Sequence, residues 1–461
     1  MKLKLLRIAL TIFFFTRIAL AQTPVVQTKF TADPAPMVYK DTVFLYTGHD
    51  DDQAFGFRMK DWLLYTSTDM VNWTDHGAVA SVKDFKWANS EDGAWAAQCI
   101  ARNGKFYLYC SMPNAIGIGV MVADSPYGPF RDPIGKPLIK NSMEDIDPSI
   151  FIDDDGQAYL YWGNPNLWYV KLNEDMISIS GDLIKDPSFA KGKADHDFFH
   201  YQEGPWAWKR KGKYYMAYAS TCCPEGIGYA MGETATGPWK YAGMIMDGDP
   251  RSGGNHPGII DYKGKSYVFG FDQSLRMKTM SQPYERRSVQ VKELRYRADG
   301  TLEKLPFWTP EELKSAGTIN PYQNVRAVTM AYSEGVKTAV ASTLGNLKSA
   351  ANGGKIPSGM VLTAIHNGDY IKIRSVDFSK GANTLEVLVA ALYGGQIEVR
   401  RDAIDGPLLG VVNVNYKGEG DVWRSIKTPV KSLTGSHDLY FVFKGKHDLF
   451  YFDSWQFTGN R

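Results

Sequence analysis

The sequence predicts an all-β protein, a five-bladed β-propeller followed by a β-sandwich domain of the jelly-roll type. The first observation is a hairpin pattern, an apolar strand, a turn and an aromatic strand, that recurs along the chain. Its turns are Lys40-Asp41, Asn103-Gly104, Asp155-Gly156, Lys211-Gly212 and Lys263-Gly264. The second observation is their spacing of 63, 52, 56 and 52 residues, which suits one small antiparallel sheet per repeat. The third is that the strands after about Asn324 alternate without this hairpin, which indicates a sandwich.

The first 21 residues have the composition of a secretory signal peptide. Lys2, Lys4 and Arg7 precede an apolar run, and Ala19-Leu20-Ala21 supplies a small-residue cleavage site. The apolar run is too short to span a bilayer. We therefore expect an exported protein, periplasmic or extracellular, without a membrane partner.

The remaining chain is predicted to form two domains joined by a linker. A length of 461 residues favours more than one domain. The propeller is expected over residues 22–310, with the region 271–305 closing its ring. The linker is expected over residues 311–323 and the β-sandwich over residues 324–461.

Charge and cysteine content limit the partners and the cross-links. The formal net charge is +2, and loss of the signal peptide removes four positive residues and leaves about −2. No basic patch is present, so a nucleic-acid partner is not expected. Cys99 and Cys110 flank a turn out of register for a disulfide, whereas Cys222 and Cys223 form either a vicinal bridge or two buried thiols.

One distinctive residue stands eight or nine positions before the second turn residue of each hairpin. These residues are Asp33, Trp95, Asp147, Glu203 and His256. If the first strand of each hairpin is the innermost of its blade, they converge at one end of the central axis, with Gln98 and Asn255 beside them. Three carboxyl groups, an imidazole and an indole then surround one pocket. The acidic run 49–52 is interpreted as a solvated loop at the pocket rim.

Three carboxyl groups around one pocket are typical of glycosidic bond hydrolysis. One carboxyl group stays protonated and donates to the leaving oxygen, and another activates water or attacks carbon. A third raises the pKa of the acid by like-charge repulsion. Asp33, Asp147 and Glu203 supply such a set. Further along, Arg286 and Arg287 are neighbours on a strand, so one points inward and the other outward.

The motifs ADPAP, EDIDPSIF, EGPW, NHPG and RRSV occur in this order within residues 29–305. They resemble the motifs of glycoside hydrolase family 43, whose members are inverting enzymes on a five-bladed propeller. The resemblance implies that Asp33 is the general base and Glu203 the general acid. It also implies that Asp147 tunes the pKa of the acid and orients it.

The same resemblance implies the surroundings of the sugar. Trp95 would form a wall of the pocket, and Arg286 or Arg287 would contact sugar hydroxyl groups. A calcium ion would lie near His256, often held through water.

The C-terminal part resembles a family 6 carbohydrate-binding module through NGDYIKIRSVDF, GGQIEVRRD, GPLLGVV, HDLYFVFKG and FDSWQF. Gly420 stands where relatives often carry a sugar-stacking Trp. Relatives also often have an Asn near the position of Tyr451 and a calcium-linked acidic residue near the position of Val328, and this sequence lacks both. These departures disfavour sugar binding by the usual cleft. The alternative is a module that braces the propeller or shapes its substrate cleft.

Together these features predict an exported inverting glycosidase that removes α-L-arabinofuranosyl residues from arabinoxylan or a related plant polysaccharide. A β-xylosidase that acts on xylo-oligosaccharides with the same triad is the alternative, because the motifs do not separate the two sugars. The presence of all three carboxyl groups disfavours a non-catalytic glycan-binding propeller. Ala32 and Ile146 disfavour a retaining fructan hydrolase, which usually has Asn and Arg at these positions before Asp-Pro.

Overall fold

The structure, a computed structural model, contains two β domains in contact. It describes residues 24–53, 55–112, 116–189, 200–281, 285–308, 313–345, 348–349, 356–416, 418 and 422–459. The signal peptide predicted over residues 1–21, the first two residues of the predicted linker and Gly420 lie outside these ranges. Within them, no helix has the length and apolar character needed to cross a membrane.

Five antiparallel sheets follow one another along the chain as the blades of a propeller. Blade one consists of β1 (Phe30–Tyr39), β2 (Thr42–Asp50), β3 (Asp61–Ser67) and β4 (Trp73–Ser81). Blade two consists of β5 (Ala97–Arg102), β6 (Lys105–Met112) and β7 (Gly117–Ala123). Blade three consists of β8 (Ser149–Ile152), β9 (Ala158–Trp162), β10 (Trp168–Leu172) and β11 (Ile179–Lys185).

Blades four and five complete the ring. Blade four consists of β12 (Tyr201–Arg210), β13 (Lys213–Ser220), β14 (Gly226–Gly232) and β15 (Trp239–Met246). Blade five consists of β16 (Gly258–Tyr262), β17 (Lys265–Asp272) and β18 (Ser288–Leu294). A 3₁₀ turn (Val82–Asp84) follows blade one, and a short helix, α1 (Ser274–Thr279), lies between β17 and β18.

The first strand of every blade lies at the axis, as the sequence predicts. β1 is next to β5 and β16, and β12 is next to β8 and β16. The ring closes between blades five and one, where the N–H of Thr31 donates to the carbonyl oxygen of Arg287 (3.0 Å) and that of Val25 to Val289 (2.8 Å). The region 271–305 therefore closes the propeller, as expected.

The hairpin turns explain why the pattern repeats so regularly. Asn103, Lys211 and Lys263 have φ values of 51°, 47° and 47°, and the glycines that follow have 76°, 75° and 79°. Positive φ at both central residues matches the twist of the paired strands, and glycine adopts it without a Cβ penalty. In the hairpins that these turns form, the second strands β6 and β13 are buried over almost their whole length.

The C-terminal domain is a sandwich of two sheets. Its strands are β19 (Val325–Arg326), β20 (Thr329–Met330), β21 (Tyr332–Glu334), β22 (Lys337–Val340), β23 (Lys348–Ser349), β24 (Met360–Thr363), β25 (Tyr370–Asp377), β26 (Ala382–Ala391), β27 (Gly395–Arg401), β28 (Leu408–Val414), β29 (Val422–Leu433), β30 (Ser436–Lys444) and β31 (Phe450–Thr458). One sheet has the order β22-β24-β31-β26-β29-β23, with β19 beside β31, and the other has the order β21-β25-β30-β27-β28. Phe441 of one sheet packs on Trp455 of the other with ring centroids 5.3 Å apart, inside one buried cluster.

A polar junction joins the two domains on blade one. β20 pairs antiparallel with β4, so the C-terminal domain adds a strand to the outer edge of this blade. The side chain of Asn72 exchanges two hydrogen bonds with the backbone of Arg374 (2.9 and 3.0 Å). Asp75 is buried and accepts from Thr338 Oγ1 at 2.6 Å. The C-terminal domain therefore braces the blade that carries Asp33.

The described part of the predicted linker contacts both domains. The N–H of Ala316 donates to the carbonyl oxygen of Asp69 in blade one (2.8 Å), and the N–H of Ile319 donates to Ser375 in the sandwich (3.0 Å). The described part of the linker, from residue 313, is thus tied to both blade one and the sandwich.

Candidate active site

Left-handed backbone conformations mark the axial ends of three inner strands. Asp33 (φ 49°) lies at a bulge in β1, Asp147 (φ 59°) lies two residues before β8, and Gly204 (φ 59°) follows Glu203 at a bulge in β12. Positive φ is uncommon in residues other than glycine, and such strain clusters at functional sites. The carboxyl groups of Asp33, Asp147 and Glu203 interact electrostatically, so the structure brings them close together.

Asp33 is buried against a cation and an imidazole. Nη1 of Arg287 donates to Asp33 Oδ1 at 2.9 Å, and Nδ1 of His256 lies 3.7 Å from the same oxygen. Burial lowers the pKa of His256, although the Asp33 charge opposes this, so the imidazole is neutral at pH 7. Arg287 is therefore the permanent cation beside Asp33.

Asp50 holds Arg287 in place. It is fully buried and accepts from Nε (3.1 Å), Nη2 (2.9 Å) and the backbone N–H (2.8 Å) of Arg287. The interpretation of residues 49–52 as a solvated loop is wrong for Asp50, because β2 continues to this residue and its side chain turns inward. Burial by itself lowers the pKa of Arg287, but Asp33 and Asp50 outweigh that effect and raise it.

Asp147 and Glu203 form a carboxyl pair that retains a proton. Asp147 Oδ2 accepts the N–H of Gly204 at 3.1 Å, and Glu203 accepts from the side-chain amide of Asn164. Burial, helped by repulsion from Asp33, raises the pKa of Glu203 to about 7, while the Asn164 hydrogen bond opposes the rise. Burial and repulsion from Glu203 also raise the pKa of Asp147. The pair is thus protonated at pH values at which a solvated carboxyl group is ionised, as a general acid requires.

Glu225 is a fourth buried carboxyl group, and the sequence reasoning missed it. It is 4% exposed and accepts the N–H of Asn255 at 2.9 Å. Burial, followed by repulsion from Glu203, raises the pKa of Glu225 to about 8. The residue lies between the second and third strands of blade four, whereas the repeat pattern draws attention only to residues before the first strand.

Two aromatic side chains lie near Arg287. Trp95 is partly exposed, and the ring of Phe57 meets it edge-on with centroids 6.3 Å apart. That Trp95 forms a wall of the sugar pocket stays a prediction. Phe57 is 47% exposed and lies 5.0 Å from the guanidinium carbon of Arg287. Phe57 was not predicted, because it lies in an irregular loop without a repeat position.

Gln98 and Asn255 contact the framework of the pocket. Gln98 Oε1 accepts the N–H of Ile150 (2.8 Å) and its Nε2 donates to the carbonyl oxygen of Ile150 (3.3 Å), which ties β5 to β8. Asn255 is fully buried, and its Oδ1 accepts from the N–H groups of His256 (3.1 Å) and Phe271 (3.3 Å). Direct contact of Gln98 and Asn255 with a sugar stays a prediction.

The two neighbouring arginines face different surroundings, but the prediction of a strand with one arginine pointing outward is wrong, because both precede β18 and both are buried. Arg287 reaches the carboxyl groups, whereas Arg286 is fully buried and donates to the carbonyl oxygen of Gly56 (3.1 Å). Arg287 is therefore the arginine placed at the pocket. A sugar contact of Arg286 stays a prediction.

The groups around His256 do not form a calcium cage. Calcium takes about six to eight oxygen ligands, whereas the carboxylate beside the His256 ring is that of Asp33, which Arg287 already neutralises. Among the described residues, the only cluster of three potential metal ligands is Cys222, Cys223 and Glu225. A calcium ion bound directly by protein side chains at His256 therefore does not fit these residues.

The structure distinguishes between the two alternatives predicted for Cys222 and Cys223. Cys222 and Cys223 form a vicinal disulfide. Cys99 and Cys110 are buried free thiols, as expected from their register.

Known families match both domains of the chain. The profile of the glycosyl hydrolases family 43 matches residues 21–302. The chain belongs to this family. The profile of the carbohydrate binding module family 6 matches residues 326–459. The protein is therefore a glycoside hydrolase whose C-terminal domain is of the carbohydrate-binding-module type.

Individual relatives share one or both domains. An arabinoxylan arabinofuranohydrolase of Bacillus subtilis (strain 168) is 33% identical over 94% of this chain and 92% of its own length. A crystal structure of the arabinoxylan arabinofuranohydrolase from Bacillus subtilis with cellotetraose matches with a TM-score of 0.80 at 31% identity, covering 95% of this chain and 98% of that one. A beta-xylosidase of Xylanibacter ruminicola is 32% identical over 59% of this chain and 96% of its own length.

Proposed function

We propose that this glycoside hydrolase removes α-L-arabinofuranosyl residues from arabinoxylan or a related plant polysaccharide, with inversion at the anomeric carbon. One observation carries the proposal. At one end of the propeller, the arginine-held carboxylate of Asp33 faces the carboxyl pair of Asp147 and Glu203, which keeps a proton near neutral pH. Similarity along both domains to arabinoxylan arabinofuranohydrolases supports the choice of sugar and polymer.

In the proposed mechanism Asp33 is the general base. Arg287 and His256 both face its Oδ1, so Oδ2 is the oxygen that takes a proton from the attacking water. Arg287 fixes the orientation of the carboxylate, and Asp50 fixes Arg287. The water then attacks the anomeric carbon from the face opposite to the leaving group, which inverts the configuration.

Glu203 is the general acid of the same step. Its raised pKa keeps it protonated until the glycosidic oxygen departs, and the proton then moves to that oxygen. Asp147 supports the acid as its partner in the proton-sharing pair, because repulsion between the two carboxyl groups prevents both from ionising near neutral pH. Asn164 orients the Glu203 carboxyl group through its side-chain amide.

A β-xylosidase is the second candidate, because a relative with that name matches the propeller domain. The two are separated by hydrolysis of 4-nitrophenyl α-L-arabinofuranoside and 4-nitrophenyl β-D-xyloside by the mature protein, with Asp33→Ala as the control. We expect a large preference for the arabinoside that Asp33→Ala abolishes. Preference for the xyloside would overturn the choice of sugar, and full activity of Asp33→Ala would overturn the mechanism.

Inversion has its own test. Proton NMR during early turnover shows which anomer of the sugar is released first. The proposed single displacement releases the β-anomer from an α-L-arabinofuranoside. Initial release of the α-anomer would show retention and contradict the role of Asp33 as a base.

We also propose that the protein is exported, which the positive, apolar and small-residue order of its first 21 residues supports. Expression of the full chain followed by mass measurement of the extracellular and periplasmic forms tests this, with cleavage after Ala21 expected.

Dialysis against EDTA tests the calcium ion expected near His256. If the ion is held there through water, activity falls and added calcium restores it.

A further inference from the structure

The vicinal disulfide lies at the catalytic end of the propeller, the end that carries the carboxyl groups. The loop 221–225 connects β13 to β14. It lies at the same end as Glu203, because the last residue of β13 pairs with the first residue of β12. The N–H of Thr221 donates to the carbonyl oxygen of His200 at 2.7 Å, directly before β12. Cys222 and Cys223 are both exposed in this loop.

The loop is fixed against the segment that leads into blade five. The Glu225 carboxyl group accepts the N–H of Asn255 at 2.9 Å, and the Glu225 N–H donates to the carbonyl oxygen of Gly253 at 3.3 Å. Gly248 passes so close that a Cβ there would lie 2.4 Å from the carbonyl oxygen of Pro224. The disulfide therefore has a defined position above a buried carboxyl group.

A metal site is the first alternative for this loop. The sulfur atoms of Cys222 and Cys223 and a carboxylate oxygen of Glu225 lie within 4.8 Å of one another. The two sulfurs are joined to each other, however, and metals bind cysteine as the thiolate. The oxidised loop therefore presents a small sulfur-containing ring to solvent in place of a ligand set.

We infer that the Cys222–Cys223 disulfide is an apolar contact surface for the leaving-group sugar. The general acid protonates the leaving oxygen, so the leaving group lies on the side of Glu203, and β12 and this loop are neighbours there. Sulfur is polarizable and packs well on apolar surfaces such as the C–H face of a sugar. The closed ring has no free side-chain rotation, so binding immobilises no rotamers.

This inference rests on the proposed function, in which the leaving group is a xylose unit of the polysaccharide main chain. The test compares arabinoxylan with α-L-arabinofuranosyl fluoride, whose leaving group is a single ion and cannot touch the disulfide. In the double variant Cys222→Ala/Cys223→Ala, we expect KM for arabinoxylan to rise about tenfold, which corresponds to about 1.4 kcal/mol. We expect kcat/KM for the fluoride to stay within about twofold of the wild type. Lys211→Asn, in the turn at the opposite end of blade four, is the control and changes neither value.

Reduction by dithiothreitol supplies a second perturbation without substitution. Of the four cysteines, Cys99 and Cys110 are buried free thiols, so only this disulfide is available to the reagent. Reduction should raise KM for arabinoxylan in the wild type and have no effect on the double variant. An unchanged KM in both perturbations, or an equal loss on the fluoride, overturns the inference.

The activity of the wild type on the two substrates tests the proposed function independently of the disulfide. If the wild type releases no arabinose from either substrate, the choice of sugar is wrong. The same comparison is then made with xylotriose and β-D-xylosyl fluoride, and an unchanged KM for xylotriose overturns the inference about the disulfide.

Discussion

Replacement of Asp50 by Asn removes the charge that holds Arg287 against Asp33. Asp50 accepts three hydrogen bonds from Arg287, at 2.8, 2.9 and 3.1 Å, and is fully buried. An Asn side chain keeps one acceptor oxygen and turns an amide group toward the guanidinium, so donor faces donor. Asp33 then remains as the partner of the cation.

The expected loss follows from this geometry. Removing one partner of a buried ion pair typically costs about 3–5 kcal/mol. Because Asp33 still neutralises Arg287, we expect Asp50→Asn to lose about 3 kcal/mol of unfolding free energy, at the lower end of that range. The guanidinium also moves toward Asp33 and misaligns the base, so kcat should fall about 100-fold, within the usual contribution of a general base.

Urea denaturation and initial rates on the aryl arabinofuranoside measure the two effects. Asp52→Asn is the matched control, because Asp52 belongs to the same acidic run but pairs with Lys337 at the surface (3.0 Å). Surface pairs contribute about 1 kcal/mol or less, so this variant should keep its activity. Asp50→Asn with kcat within threefold of the wild type would refute the proposed role of the Asp50–Arg287–Asp33 chain.

Three further predictions concern the other buried carboxyl groups. Glu203→Gln should lower kcat on arabinoxylan by about two or more orders of magnitude, because no proton reaches the leaving oxygen, while the thermal midpoint stays unchanged. Asp147→Asn should shift the alkaline limb of the kcat/KM profile to lower pH, because Asn cannot ionise and the repulsion that delays loss of the last proton from the Asp147–Glu203 pair is removed. Glu225→Gln should flatten the dependence of the thermal midpoint on pH between about 4.5 and 8. In the wild type the folded-state pKa of Glu225 lies above its unfolded value, so its contribution to stability declines across this range as pH rises.

Each of these outcomes has a clear opposite. Unchanged cleavage by Glu203→Gln would remove Glu203 from the mechanism. An alkaline limb that stays in place in Asp147→Asn would show that Asp147 does not tune the acid. Equal pH dependence of the thermal midpoint in Glu225→Gln and wild type would show that Glu225 ionises without cost in the folded protein.

Local patterns were sufficient to predict the five blades and the positions of three carboxyl groups. The turn residues and the alternation of apolar residues act over a few neighbours, and a period near fifty residues repeats one sheet. Equivalent positions in equivalent strands must meet at the axis of a propeller. Asp33, Asp147 and Glu203 could therefore be brought together without knowledge of any contact.

The partners of those carboxyl groups could not be predicted in this way. Asp50 and Arg287 are 237 residues apart, and a single additional strand residue at the end of β2 decides whether Asp50 faces the pocket or water. Glu225 and Phe57 lie in loops, whose conformation depends on contacts with other blades.

The sequence by itself determined the architecture of this protein and the positions of the three carboxyl groups proposed to be catalytic, because hydrophobic period and turn chemistry are local and the repeat multiplies them. Only the tertiary structure decided which side chains form hydrogen bonds with these carboxyl groups. Arg287, itself bound by Asp50, donates to Asp33, and Asn164 donates to Glu203. It also decided how the C-terminal domain joins blade one through β20. The physical reason is that side-chain contacts between distant segments depend on packing, burial and charge in three dimensions, and no periodic signal in the chain encodes them.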